Sequence, residues 1–277
     1  MDVYYIDGRY CAADEAVVPA DDLAIARGYG VFDFLRTYNG KPFYLDQHLQ
    51  RLQRSARQIG IQLPWSLDDL REIVLETLRR NTHSESNIRI VVTGGSSADF
   101  TTYEGRPRLM VMVTPIIRLP RRWYSDGVKI ITVEVERYLP TAKSINYIPA
   151  IMALNDARRQ DAVEAVYVDH GGCILEGTTS NLFLFDADKL VTAADQVLPG
   201  ITRRVVMDII GDHWQLESRS VQMAELLQAG EVFLTSSNKE ILPVTRVNDA
   251  TIGDGKPGDK TRRLMKLFDR FTHDYIQ

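Results

Sequence analysis

Lys143 and Glu176 are the residues from which chemistry can first be read. The lysine lies in Ala142-Lys143-Ser144-Ile145-Asn146-Tyr147, and the glutamate in Leu175-Glu176-Gly177-Thr178-Thr179-Ser180-Asn181-Leu182-Phe183. A lysine amine can act as a nucleophile or as a base, and a carboxylate can hold a proton or a cation. Neither is special alone, because a lysine near a turn or a hairpin glutamate is most often a solvated surface group. A third chemistry is anion binding. Ile201 and Thr202 follow Leu198-Pro199-Gly200 at the start of an apolar-periodic stretch. There the first N–H groups of a helix lack partners within it, and the helix dipole favours a negative ligand. By themselves Ser236-Ser237 reads as a turn and Arg51 as one arginine on a helix rich in them.

The elements that must position these groups follow from local patterning. Residues 128–136 are β-branched and partly alternating, which predicts a strand that Pro140 closes. Tyr147, Ile148, Ile151, Met152 and Leu154 recur at helical intervals, with Pro149 in the first turn and Asn146 placed to cap. Lys143 therefore falls at a strand-to-helix junction. Upstream, residues 2–18 predict a hairpin turning at Asp7-Gly8, and Arg27-Gly28-Tyr29-Gly30-Val31-Phe32-Asp33 opens a strand that ends at Asn39-Gly40, a strong hairpin signal. Leu45, Leu49, Leu52, Ala56 and Ile59 mark one helix face, with His48 and Arg51 beside it. Ser66 and Asp69 make a capping-box pattern before the next helix, and strands at 87–93 and 108–114 follow.

Residues 118–126 break the pattern and predict a linker. The chain then divides into a first domain, residues 1–120, and a second, residues 121–277, that carries the lysine. The second domain reads as a hairpin of 164–169 with 173–177, strands at 182–185 and 231–235, a helix at 201–210, and a terminal helix striped by Leu264, Phe268, Phe271 and Tyr275.

Composition narrows the function classes. A chain of 277 residues with net charge −4 gives no reason to expect a nucleic acid or an anionic membrane as partner. No run reaches the roughly 18 apolar residues of a membrane helix, and the acidic start lacks a signal-peptide plan, so a cytoplasmic location is expected. Cys11 and Cys173 stand far apart without histidine neighbours, and no His-Glu-x-x-His occurs, so neither a disulfide framework nor a catalytic metal is expected. Gly253 to Thr261 superficially suggests a phosphate-cradling loop. Asp259 interrupts its Gly-Lys-Ser/Thr and no buried strand leads into it, so it reads as a turn before the last helix.

Taken in order, the motifs around Lys143 and Glu176 resemble the signature of class IV, or fold type IV, pyridoxal-phosphate aminotransferases. That family includes D-amino-acid aminotransferases, branched-chain aminotransferases and aminodeoxychorismate lyases. The resemblance runs from Arg27-Gly28-Tyr29-Gly30 through Leu198-Pro199-Gly200-Ile201-Thr202-Arg203 to Thr235-Ser236-Ser237, nearly the whole chain. It implies an α+β fold of two α/β subdomains and pyridoxal 5′-phosphate as cofactor. It also implies that Lys143 is the Schiff-base anchor and base, and that Glu176 sits beside the ring nitrogen. Arg51, Ile201, Thr202, Ser236 and Ser237 fall at the phosphate, and Tyr147 at the ring hydroxyl, with a plain core tyrosine as its competing reading. A homodimer and ping-pong exchange between an amino acid and a 2-oxo acid complete what the resemblance implies.

Substrate choice is less uniform. The family's best-known D-specific enzymes carry an Arg-x-His pair where this chain has Arg89 followed by Val91. Its Arg-x-x-x-Thr-Gly-Gly run looks branched-chain-like, whereas Lys143-Ser144-Ile145-Asn146 leans to D-specific enzymes. The mixture resembles a D-amino-acid subgroup in which two arginines, matching Arg27 and Arg89, hold the substrate carboxylate. Tyr29 is a further candidate substrate contact. Arg89 could equally pair across its strand and Arg27 brace its loop. D-amino-acid aminotransfer is the leading expectation, ahead of L-branched-chain aminotransfer, aminodeoxychorismate lysis and a cofactor-binding module without turnover.

Overall fold

The computed structural model describes residues 1–275 and resolves into two compact units. The first comprises Met1–Ile117, Ala142–Asn146 and Tyr275; the second comprises Arg118–Thr141 and Tyr147–Asp274.

In the first unit six strands form an antiparallel sheet in the spatial order Arg9–Ala12, Val3–Ile6, Arg108–Pro115, Ser86–Thr93, Gly30–Tyr38, Lys41–Pro42. Alternation along these strands sends Val31, Leu35, Ile88, Ile90, Val92, Val111 and Val113 to one face, where helices Leu45–Gln58 and Leu67–Arg79 cover them. Leu49 and Leu52 are wholly enclosed there, each stabilising the fold by about 1.5–3 kcal/mol. The capping box at Ser66 and Asp69 forms as expected. Phe32, Phe34 and Arg89 take the opposite sheet face, because Phe34 is registered against Arg89 and Phe32 against Val91.

The short segment Ala142–Asn146 joins this sheet. Phe32 N–H donates to the Lys143 carbonyl at 2.9 Å, Ile145 N–H to Gly30 O at 3.1 Å, and Ser144 bridges Val31. A Cβ on Gly30 would collide with Val92 O and press on Ile145 Cδ1 at 3.0 Å, so glycine permits the approach. Lys143 thus belongs to the first unit, whereas the division at residue 120 put it in the second. These tertiary backbone bonds override its position in the chain.

In the second unit ten strands are paired, and the bridge Asn181–Glu176 closes a circuit of six: Asn181–Asp186, Glu231–Ser236, Glu240–Val247, Val128–Glu134, Glu164–Val168, Cys173–Gly177. Alternate residues of these strands, among them Ile130, Val166, Ile174, Leu184, Leu234 and Leu242, form one buried cluster. Helix Ile148–Arg159 sets Ala153 and Ala157 against Ile131, Ala165 and Tyr167. Its N-cap is Tyr147 rather than Asn146, with no side-chain cap bond, and Pro149 occupies the first turn. The strand Glu240–Val247 escaped sequence reading because Pro243 sits inside it. The terminal helix runs Asp259–His273, so Tyr275 lies beyond its end.

Candidate active site

In the first unit Lys143 is fixed by its main chain. Its N–H donates to Ser55 Oγ at 3.1 Å, and its amine lies 4.5 Å from the centre of the Phe32 ring. The Arg89 guanidinium lies 5.3 Å from the same ring and 5.4 Å from that of Phe34. One aromatic platform therefore carries both the amine and an exposed cation. Arg27, also exposed, ends the helix Leu23–Arg27 and donates to Ala26 O at 2.8 Å and to Thr101 Oγ1 at 3.5 Å. The Tyr29 hydroxyl donates to Ile59 O at 2.6 Å.

Arg51 does not stand on its helix as an isolated cation. Helical spacing places His48, Arg51 and Ser55 on the buried stripe of Leu45–Gln58, facing Asp33 on the neighbouring strand. Arg51 donates through Nε to Asp33 Oδ2 at 2.9 Å and through Nη2 to Oδ1 at 2.8 Å, and His48 Nδ1 meets Oδ1 at 2.6 Å. Burial pushes the Asp33 carboxyl up, but the charges and hydrogen bonds of Arg51 and His48 outweigh it and hold the group well below the carboxylate range. Burial lowers His48 in turn; Asp33 opposes, while Arg51 and Lys143 add to the lowering. Sequence reading missed Asp33 as a partner. Its only signal was an acidic residue in inward register with Val31 and Leu35.

In the second unit Glu176 is buried. Its Oε1 accepts from Arg137 Nη1, and its Oε2 from Leu198 N–H at 2.9 Å and Asn181 Nδ2 at 3.3 Å. Arg137 was also missed, since a lone arginine past a strand carries no pattern. Asn181 reaches onward to Leu198 O at 2.9 Å, and a Cβ on Gly200 would collide with Asn181 Oδ1. Gly200 is the extended N-cap of helix Ile201–Ile209 and supplies no side-chain cap, so the first turn presents its N–H groups beside buried Ile201 and Thr202. Ser236 ends its strand with Oγ 2.9 Å from Asn238 Oδ1, and Ser237 is half-buried in the same turn. Tyr147 acts electrostatically on Tyr167, whose phenol burial pushes up to about 12 despite Arg137.

The rejected loop at 253–261 has its own anion. Glu231 accepts from Lys260 N–H at 3.1 Å and Thr261 N–H at 2.7 Å, occupying the start of the last helix.

Comparison with known proteins gives this constellation a family. The family described as amino-transferase class IV matches residues 30–247. A putative branched-chain-amino-acid aminotransferase of Methanocaldococcus jannaschii is 31% identical over 95% of this chain and 94% of its own. A D-alanine aminotransferase of Bacillus licheniformis is 32% identical over 94% and 93%. A solved branched-chain amino acid aminotransferase from T.th., with pyridoxamine 5′-phosphate, superposes at a TM-score of 0.92 with 25% identity, covering 98% of this chain and 94% of that one. The chain belongs to the class IV aminotransferase family. It is a pyridoxal-phosphate-dependent aminotransferase of that family's fold, and its substrates are amino acids and 2-oxo acids. Among the described residues no helix is long and apolar enough to cross a membrane.

Proposed function

We propose that this enzyme transfers the amino group of D-amino acids. The carboxylate site in that reading is supported best by the Phe32 ring, which lies against both the Lys143 amine and the Arg89 guanidinium. A carboxylate held by Arg89 would bring the substrate α-carbon toward that amine. Lys143-Ser144-Ile145-Asn146 and the D-alanine aminotransferase relative favour D-substrates. L-branched-chain substrates are the second reading, favoured by the Methanocaldococcus jannaschii relative.

The residues fit pyridoxal phosphate. A carboxylate held by a cation and two N–H donors suits a protonated ring nitrogen, and an uncapped helix start suits a phosphate. When bound, the cofactor would supply an electron sink for the electron pair left on the α-carbon as its proton departs. Lys143 anchors the cofactor and accepts that proton, and Glu176 holds the proton at the ring nitrogen. Ile201, Thr202, Ser236 and Ser237 bind the phosphate with Arg51, whose guanidinium Asp33 orients. Tyr147 takes the ring hydroxyl. Arg27 and Tyr29 join Arg89 on the substrate side. A cytoplasmic homodimer belongs to the same reading.

Lys143→Ala is expected to abolish covalent cofactor attachment and lower turnover by at least about 10³-fold, the scale of a lost general base. The visible absorbance of the bound cofactor and steady-state rates report both effects. D-alanine or D-glutamate should convert the holoenzyme to its amine form and L-leucine should not. The reverse pattern sinks the D-specific reading, and release of pyruvate from aminodeoxychorismate would make the enzyme a lyase.

A further inference from the structure

The proposed mechanism leaves two deeply enclosed charges of the second unit without a role. Glu164 is fully enclosed and Lys239 is 7% exposed. Lys239 Nζ donates to Glu164 Oε2 at 2.7 Å and also to Thr179 Oγ1. Thr178 Oγ1 donates to Glu164 Oε1, and the hydroxyls of Thr179 and Ser180 donate to Oε2 at 2.7 and 3.3 Å. Burial pushes the Glu164 carboxyl up, but the ammonium and the hydroxyls outweigh it and keep it below its ordinary value.

Three consecutive residues thus turn their hydroxyls to one carboxylate, and they lie on the loop that links Glu176-Gly177 to Asn181. That loop sets Asn181 opposite Glu176, where the two side chains meet. A Cβ on Gly177 would collide with Ser180 Oγ and lie 3.3 Å from Glu164 Cγ, so the loop packs directly on the glutamate. At the other end of the cluster, Lys239 follows Ser236-Ser237-Asn238. Its carbonyl accepts from the Tyr124 hydroxyl at 3.1 Å, so Lys239 is tied by its main chain as well as its amine. An apolar pair could fill the same space, but only a satisfied ion pair fixes the hydroxyl loop and the serine turn to each other by directional bonds.

We propose that Glu164 and Lys239 are positioning residues that lock the Glu176 loop to the Ser236-Ser237 turn, so that cofactor ring nitrogen and phosphate are gripped at a fixed spacing. This rests on the roles given above to Glu176 and the two serines.

The test uses the full-length holoenzyme, from which cofactor is removed and restored. Glu164→Gln combined with Lys239→Met removes both charges and leaves no unpaired buried ion, whereas Glu164→Asp keeps the charge and shortens its arm. The readouts are the dissociation constant of pyridoxal phosphate and the pH dependence of its bound visible absorbance, beside circular dichroism and the unfolding temperature. The double variant is expected to keep the native dichroism and bind cofactor about tenfold or more weakly, with Glu164→Asp between it and the wild type, as for other groups that orient a ligand contact. A folded double variant with wild-type affinity and pH response overturns the proposal. Should that variant not fold, unchanged affinity in Glu164→Asp overturns it equally. Weakened binding in Glu176→Gln alone would discard the lock and keep the site, while unchanged binding in both Glu176→Gln and Ser237→Ala would discard the site and the lock together.

Discussion

Asp33 with Arg51 in the first unit and Glu164 with Lys239 in the second are both buried ion pairs, and the two clusters differ in what they hold. In the first unit Asp33 balances Arg51, with His48 neutral beside them, and Ser55, one helical turn beyond Arg51, receives the backbone N–H of Lys143. The cluster is thus one turn from the residue that anchors the Lys143 main chain, and the charge of Lys143 acts on His48. In the second unit Glu164 and Lys239 are balanced out of reach of solvent, while Glu176 is held by separate donors. Both clusters obey the rule that a buried charge must be paired. The first contains Arg51, which we propose for the phosphate; the second bonds the loop between Glu176 and Asn181.

This contrast can be broken by experiment. The largest effect is expected from Asp33→Ala, which leaves Arg51 buried without its main partner and should cost about 3–5 kcal/mol in urea unfolding. A loss below about 1 kcal/mol, the scale of an exposed pair, would mean that the cluster is not a structural ion pair.

Acid should separate the two clusters next. The folded-state values of Asp33, Glu164 and His48 are all depressed, so below their ordinary values the unfolded chain binds more protons and stability falls with pH. For Glu164 that loss starts near its ordinary value of 4.5, and for Asp33 near 3.8, whereas for His48 it starts near 6.5. The first cluster should therefore begin to weaken at milder acid. Hydrogen exchange followed from pH 7 to 5 should show helix Leu45–Gln58 opening while strand Glu164–Val168 stays protected. A tenfold difference in proton affinity between the folded and unfolded chain is worth about 1.4 kcal/mol. Simultaneous opening of both elements would remove the distinction.

The smallest effect concerns alkali. Burial raises the Tyr167 phenol from 10.0 to about 12, so between those values the folded state keeps a proton that the unfolded chain gives up, and stability falls as pH rises. Tyr167→Phe should flatten that fall without changing stability at neutral pH by more than a hydrogen bond's worth, about 1 kcal/mol. An unchanged alkaline slope would assign it to other groups.

What was legible in the sequence was local. The Asn39-Gly40 turn, the Ser66 capping box, the strand-to-helix setting of Lys143 and the ordered motifs that resemble one family all depend on neighbours within a few residues. The capping of Ile148–Arg159 was misplaced by one residue, since Asn and Tyr at adjacent positions differ in propensity but the chain path decides which of them begins the turn.

The sequence by itself determined the family, the cofactor and most elements, because covalent chemistry and hydrophobic periodicity are written in residue type and spacing. Tertiary structure alone decided the partners: Arg51 with Asp33, Arg137 with Glu176, Lys239 with Glu164, and Lys143 with the strand of the first unit. A charge has no period, and its partner is chosen by strand register and helix phase between segments far apart in the chain. Burial then makes that choice energetically binding, since an enclosed charge without its partner is among the costliest defects a fold can carry.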